Sequence, residues 1–354
     1  MPAHVGRPFI ALAPHRITTD ALIDHIASTY RHPDDPTRTH PRMNVWQRLI
    51  RNAGVDQRYW SRPLFEAARP SGVGYRAEVA FNDALDLAET SARQALDAAG
   101  LDPGGIDAIV TSHTTSWTVP GLDIHLIERL GLKPTVARTP LTTLACCGGA
   151  HALAQALFHT DARPGTRVLV VAAETLSTIY HTTEDTPQSM IYRSLFGDSA
   201  GACIVTGIDD RNHPPTGLIA SDPYELVMPN SRDRYWGTID EQGLHFESTK
   251  AAATAAADAL PYLTDWLGER PVEWAAVHPG GPRIIDDVIT GVGLDADKAG
   301  QHSHDSLRQN GNLGGVAILD VLRRTYEDPP APGPGLLTAF GPGFTVAGIY
   351  GAWT

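Results

Sequence analysis

Three short stretches carry the residue types from which a reaction could be built. They are Thr142-Thr143-Leu144-Ala145-Cys146-Cys147-Gly148-Gly149, Val277-His278-Pro279-Gly280-Gly281-Pro282 and Gly311-Asn312-Leu313-Gly314-Gly315. The first is an apolar approach, a cysteine pair, two glycines and then an Ala- and Leu-rich run, which places a thiol where a loop turns into a buried helix. Unpaired backbone N–H groups and the positive end of the macrodipole at a helix start favour a thiolate. Glycines there let another backbone or a thioester approach closely and leave N–H groups for a developing oxyanion. His278 leaves the end of an apolar strand, where ligands of α/β sheets collect, and can take the thiol proton to give a thiolate–imidazolium pair. Asn312 opens a second glycine-marked helix, and its amide N–H₂ with His278 can bind a carbonyl oxygen becoming an enolate. Taken singly, each has a structural reading, a small buried hydrophobe for either cysteine and a satisfied structural group for the histidine. Together they point to acyl chemistry on a cysteine.

The rest of the chain must position these groups. Its 354 residues, 42% hydrophobic and 19% charged, suffice for a large core and suggest two domains or one double domain. A formal charge of −12 argues against nucleic acid as a partner, so a phosphate-bearing ligand needs a local basic patch. The three cysteines, Cys146, Cys147 and Cys203, form no disulfide framework, which implies a reducing, cytoplasmic setting. No apolar run approaches membrane-spanning length, so no membrane partner is expected.

Phe9 to Ala13 reads as a strand, Thr19 to Ala27 as a capped helix, residues 31–41 as a polar, Pro-rich loop and Asn44 to Ala53 as a helix bearing Arg48 and Arg51. Helical spacing of Ala88, Ala92, Ala95 and Ala99 marks 84–100, followed by a buried strand at Ile106 to Thr111 and a helix after Pro120-Gly121. The helix behind the cysteine runs over 148–159 and leads to the apolar strand Arg167 to Ala173. In the second half Thr249 to Leu267 reads as a helix that Pro261 should kink or divide. Glu273 to His278 is a strand, Val316 to Arg324 a glycine-opened helix and Leu336 to Phe340 a strand. Helix, strand, glycine-opened helix, strand, given twice, predicts two similar α/β halves, residues 1–210 and 211–354, with their central helices side by side and Cys146 near Asn312 at the seam.

Further runs occur in the same order: Pro120-Gly121 with Leu130-Gly131-Leu132, Leu195-Phe196-Gly197-Asp198, Gly243-Leu244-His245-Phe246 and Phe340-Gly341-Pro342-Gly343. With the three chemical stretches they resemble the thiolase superfamily and, within it, the type III polyketide synthases, the chalcone-synthase-like enzymes, from about Arg48 to the C-terminus. The resemblance implies a five-layer αβαβα thiolase-like fold of two duplicated halves, and a homodimer working on CoA thioesters without metal or redox cofactor. It implies that Cys146 takes the acyl starter as a thioester while His278 and Asn312 drive decarboxylation of malonyl-CoA and Claisen condensation. Phe196 and Phe246 fall where the family keeps two gatekeeping phenylalanines. Ile179, Gly237 and Gly314 map onto pocket positions, the two glycines redistributing volume, and Val119 would project into the partner subunit. Arg48 maps onto a residue that meets CoA phosphates, beside Gly280 and Gly281 of the histidine turn. Val45 and Asn52 stand where plant members carry lysines, so Arg51 or Arg283 would compensate. The family more often has two residues between its cysteine and the glycine pair; only Cys147 intervenes here, which leaves Cys147 as an alternative thiol.

Other readings use the same residues differently. A β-ketoacyl synthase III-like enzyme or acyltransferase would take its substrate from a carrier protein, and a silent thiolase-fold binding protein would use none of the three groups chemically. A papain-like hydrolase shares the order Cys, His, Asn but keeps its cysteine near the mature N-terminus of a disulfide-bearing chain. His302 and His304, read as lying in a solvated loop, lack a third ligand at a suitable spacing, so no metal site is expected.

Overall fold

The structure, a computed structural model, describes residues 2–208 and 216–354. The expected boundary between halves at 210/211 lies outside the described residues. Ten strands join in one hydrogen-bonded sheet. Its path runs Trp274–Val277, Gly333–Gly341, Thr345–Trp353, Leu218–Val227, Ala3–Val5, Ser199–Gly207, Arg167–Glu174, Ala108–His113 and Ala137–Thr142. Phe9–Leu12 also pairs with Ser199–Gly207. The short Ala3–Val5 strand is antiparallel to both neighbours and links the two halves of the path. Within the halves, the strands leading to the chemistry are parallel: Ala108–His113 to Arg167–Glu174 and to Ala137–Thr142, and Trp274–Val277 to Gly333–Gly341.

Two central helices, Gly148–Ala162 and Ala317–Glu327, lie between the halves. Their apolar residues share one core with inward residues of both, Val168, Val170 and Cys203 on one side and Ala276, Leu337 and Ile349 on the other. A second core packs the long Val73–Ala99 helix and Leu122–Leu130 on the outside of the first half. A third packs Ala255–Leu267 and Pro282–Gly291 on the outside of the second. Helix, sheet, helix, sheet, helix is the layering that results. The two helix starts touch because they are glycines: a Cβ on Gly149 would run into the carbonyl oxygen of Gly315, and one on Gly148 into Ser112 Oγ. That contact sets Cys146 beside Asn312.

Several local expectations are corrected. Residues 31–41 contain a small antiparallel pair, Arg31–His32 with Asp35–Thr39, rather than a plain loop. The long helix begins at Val73, ahead of its alanine stripe, and Arg76 in its first turn is held by the Thr178 and Tyr180 carbonyls. Pro261 does not divide its helix, which continues over Ala255–Leu267 after a 3-10 turn at Lys250–Thr254. Pro261 is on the exposed side, where water can serve the freed carbonyl, while Ala255, Ala256, Ala259, Leu263 and Leu267 are buried opposite it. His302 and His304 lie in the Gln301–Asn310 helix, not a loop, bonded to the Asp328 carbonyl and the Asp286 carboxylate. No helix among the described residues is long and apolar enough to cross a membrane.

Candidate active site

Cys146, His278, Asn312, Phe196 and Gly280 line one cavity of about 240 Å³. Cys146 sits in a 3-10 turn, Ala145–Cys147, that runs directly into the Gly148–Ala162 helix, so the short spacing to the glycines leaves no break in the turn. Ala145 adopts a left-handed φ of 46° to make this entry. Asn312 Nδ2 donates toward Cys146 Sγ at 3.7 Å, and its Oδ1 accepts from the Gly314 N–H at 2.9 Å, which fixes the amide orientation. His278 is tied by its backbone to Thr338, yet neither ring nitrogen has a hydrogen-bond partner although the residue is only 2% exposed. A buried, unpartnered imidazole is costly unless a ligand supplies the missing bonds.

Burial outweighs the helix start. It pushes the Cys146 thiol up to about 12, against the Asn312 amide, and the His278 imidazole down to about 3. The expected thiolate is therefore not the resting state, and each charge formed alone is expensive here. Proton transfer from Sγ to the imidazole creates the two charges as a pair. The two cysteines face different surroundings. Cys147 points into the central core with no exposure and donates to the carbonyls of Ala339 and Thr345, whereas Cys146 faces the cavity.

Phe196 and Phe246 face each other with ring centroids 5.9 Å apart. Phe196 is held by a buried knot in which Trp60 Nε1 donates to its carbonyl and Asp198 accepts from Ser61 N and Ser177 N. Two residues missed from sequence complete this wall. Tyr192 stacks on Phe196 at 6.1 Å, and Tyr235 lies 5.7 Å from Phe246. Tyr235 lies on Tyr235–Asp240, a strand paired, among the described residues, only with Gly243–Ser248, and no motif marks it. It lines both the main cavity and a tight inner recess beneath Cys146, which Thr114, Glu174, Leu176, Phe246 and Gly314 also border. Burial pushes the Glu174 carboxyl up to about 8; one of its oxygens accepts from Thr114 N and the other is unpartnered.

Both glycines mapped onto pocket positions are closely packed. Gly314 has φ +60°, and a Cβ there would press on Leu176 and Glu174; Gly237 sits opposite Phe246, where a Cβ would meet the ring at 3.2 Å. Ile179 is buried in the 3-10 turn Leu176–Ile179 and lines neither void. Val119 is 98% exposed and is not part of the cavity lining.

The basic residues stand outside the cavity lining. Gly54, just after the Met43–Asn52 helix, packs on Pro282, which brings the Arg51 end of that helix to the histidine turn. Arg51 pairs with Asp20 and Arg283 with Asp287 as surface ion pairs, and all three arginines, Arg48 included, are exposed. Gly281 borders open space. Lys250, also missed from sequence, heads the 3-10 turn whose Ala252 and Ala253 line the mouth.

Comparison with known proteins fits this geometry. The sequence profile of chalcone and stilbene synthases matches residues 59–209 with its N-terminal domain and residues 222–350 with its C-terminal domain. The chain belongs to this family, the type III polyketide synthases of the thiolase superfamily. It is 30% identical to phloroglucinol synthase of Pseudomonas fluorescens, over 98% of each chain. Among solved type III polyketide synthases it is similar to 1,3,6,8-tetrahydroxynaphthalene synthase of Streptomyces coelicolor (TM-score 0.90, 28% identity, 99% of each chain). Germicidin synthase from the same organism gives a TM-score of 0.91 at 28% identity over the whole of both chains.

Proposed function

We propose that this type III polyketide synthase loads an acyl starter from an acyl-CoA onto Cys146, extends it with malonyl-CoA by decarboxylative Claisen condensation and cyclises the product in the same cavity. The observation that carries the residue roles is the convergence of the Cys146 thiol, the oriented Asn312 amide and the unpartnered His278 ring on one largely apolar cavity. In loading, His278 takes the Sγ proton, the thiolate attacks the thioester carbonyl, and the CoA thiolate leaves with that proton. In extension, the malonyl thioester oxygen lies against His278 and Asn312. The C–C bond to the carboxylate breaks, CO₂ leaves, and its electron pair forms an enolate held by those donors. The aromatic wall favours loss of a carboxylate as neutral CO₂. The enolate carbon then attacks the Cys146 thioester, breaking the C–S bond and returning the thiolate.

Arg48, with Lys250 and Arg283 at the rim, meets the CoA phosphates in this reading. Arg48→Ala is expected to raise KM for acyl-CoA about tenfold with kcat little changed; an unchanged KM removes Arg48 from the site. Arg283→Ala tests that residue in the same way. A carrier protein could deliver the same thioesters, and turnover of free malonyl-CoA in its absence separates the two. The enzyme works as a homodimer in the cytoplasm. Supporting the dimer are Val119 and the half-exposed Trp117 on one loop, and the outer edge of Ala137–Thr142, which is unpaired among the described residues. Supporting the location are the three free cysteines.

Tyr235, with Cys146 and Phe196, lines both the main cavity and the inner recess. Tyr235→Ala should join them, so that product masses rise by one or more two-carbon units or longer starters are accepted. An unchanged product spectrum with every starter would show that Tyr235 does not limit the chain.

A further inference from the structure

Behind the aromatic wall is a polar cluster that the condensing reaction does not use. His245 immediately precedes Phe246 on the Gly243–Ser248 strand, so its side chain points to the opposite face from the ring. His245 Nδ1 is 2.5 Å from Glu184 Oε1 and Nε2 is 2.9 Å from Asp240 Oδ1. An ionised carboxylate only accepts, so both nitrogens must donate, and only the imidazolium carries two N–H groups. The two acids come from different elements. Asp240 closes the turn of the hairpin itself, accepting from Gln242 N at 2.7 Å. Glu184 lies in the segment leading into the Pro187–Leu195 helix.

These are the elements that build the wall. The hairpin supplies Tyr235 and Phe246; the helix and its end supply Tyr192 and Phe196. We propose that His245 is a positioning residue whose protonated ring latches the hairpin to the segment before the Pro187–Leu195 helix, and that loss of its proton releases Glu184 and widens the passage to Cys146.

The surroundings define the sign. His181 stacks on His245 with centroids 4.0 Å apart and donates through Nε2 to the Leu244 carbonyl; burial pushes it down to about 4, so it stays neutral beside a charged neighbour. Arg76, from the long outer helix, approaches His181 and is spent on the Thr178 and Tyr180 carbonyls. Arg193, from the Pro187–Leu195 helix, donates to the His181 and Glu184 carbonyls, and the Tyr30 hydroxyl also donates to Glu184 O. Asp185 follows Glu184, and Glu247 lies two residues along the strand from His245. Burial alone would lower His245, but the Glu184 and Asp240 carboxylates together hold it above the ordinary histidine value. A raised folded-state value means that the latch is fully closed below the unfolded value and is lost as pH rises through the folded one. The neutral contacts Thr183 Oγ1 to Gln242 Oε1 and His181 to Leu244 O persist, so the hairpin shifts without unfolding.

The latch deepens the condensing reading and rests on it only for its effect on turnover; the test reads the passage whatever reaction the thiol serves. Cys146 is alkylated with iodoacetamide and, separately, with a bulky N-aryl iodoacetamide, and each rate is followed by peptide mass mapping across pH. Both reagents report the same thiolate fraction, so the ratio of bulky to small rates cancels the titration of Cys146 and His278. In the parent enzyme the ratio is expected to rise about threefold or more between about pH 6 and about pH 9. His245→Gln, unable to donate to both acids, gives a high ratio at every pH. Glu184→Gln keeps the imidazole, removes one carboxylate and moves the rise to lower pH; it decides the matter should His245→Gln not fold. A flat ratio in the parent, a rise that survives in His245→Gln or a midpoint unmoved in Glu184→Gln overturns the proposal.

Discussion

Cys146→Ala abolishes covalent loading: after incubation with an acyl-CoA its mass is unchanged, whereas Cys147→Ala gains one acyl group as the parent does. The expected loss of turnover in Cys146→Ala is complete, because no other thiol reaches the cavity. Cys203 is fully buried in the central core, and Cys147 is directed to the Ala339 and Thr345 carbonyls. Cys147→Ala removes one buried sulfur and should cost about 1 kcal/mol of stability, visible as a lowered Tm at retained activity. Loading that survives in Cys146→Ala and vanishes in Cys147→Ala would reverse the assignment.

The second large effect falls on His278. Burial pushes the Cys146 thiol up and the imidazole down, so at neutral pH the proton rests on sulfur and the thiolate is reached only by handing it to the ring. Removing the ring strands the thiol at its raised value. His278→Gln should therefore slow alkylation of Cys146 at pH 7 by about 100-fold or more and shift the alkylation profile to higher pH. An alkylation profile identical to the parent's would show that His278 does not accept the thiol proton. Asn312→Ala is a useful contrast. It leaves the ring as base and should spare loading while slowing malonyl-CoA decarboxylation by about 100-fold or more.

Residues whose roles depend on local spacing were legible in the chain. A helix start marked by glycines and a repeated order of elements were enough to bring Cys146 near Asn312 at one seam, and a strand end before Pro-Gly to single out His278. Of the two uses the glycines offered, the close approach of another backbone is the one the packing shows. Gly149 and Gly315 let two helix starts touch, but which segment would approach is a matter of packing between stretches far apart in the chain and could not be read locally. The thiolate was misjudged for a related reason, since the helix-start field is readable locally but the depth of burial is not. Tyr192 and Tyr235 went unseen because an aromatic on a strand or helix reads as core until the cavity it faces exists. The Arg31–Thr39 pair was read as a loop because its proline and aspartates mask a short exposed strand, and Val73 was missed as a helix start because Gly72 and Gly74 flank it. The surface pairs of Arg51 with Asp20 and Arg283 with Asp287 join residues far apart or one helical turn apart and carry no motif of their own.

The most direct measurement of the central claim supplies purified enzyme with an acyl-CoA starter and carbon-13-labelled malonyl-CoA, with no carrier protein present, and follows released CO₂ and product masses together. The account predicts one CO₂ for each labelled two-carbon unit built into a product that contains the starter, and neither CO₂ nor product with Cys146→Ala. CO₂ release without carbon–carbon bond formation, or an acylated Cys146 that is never extended, would contradict it.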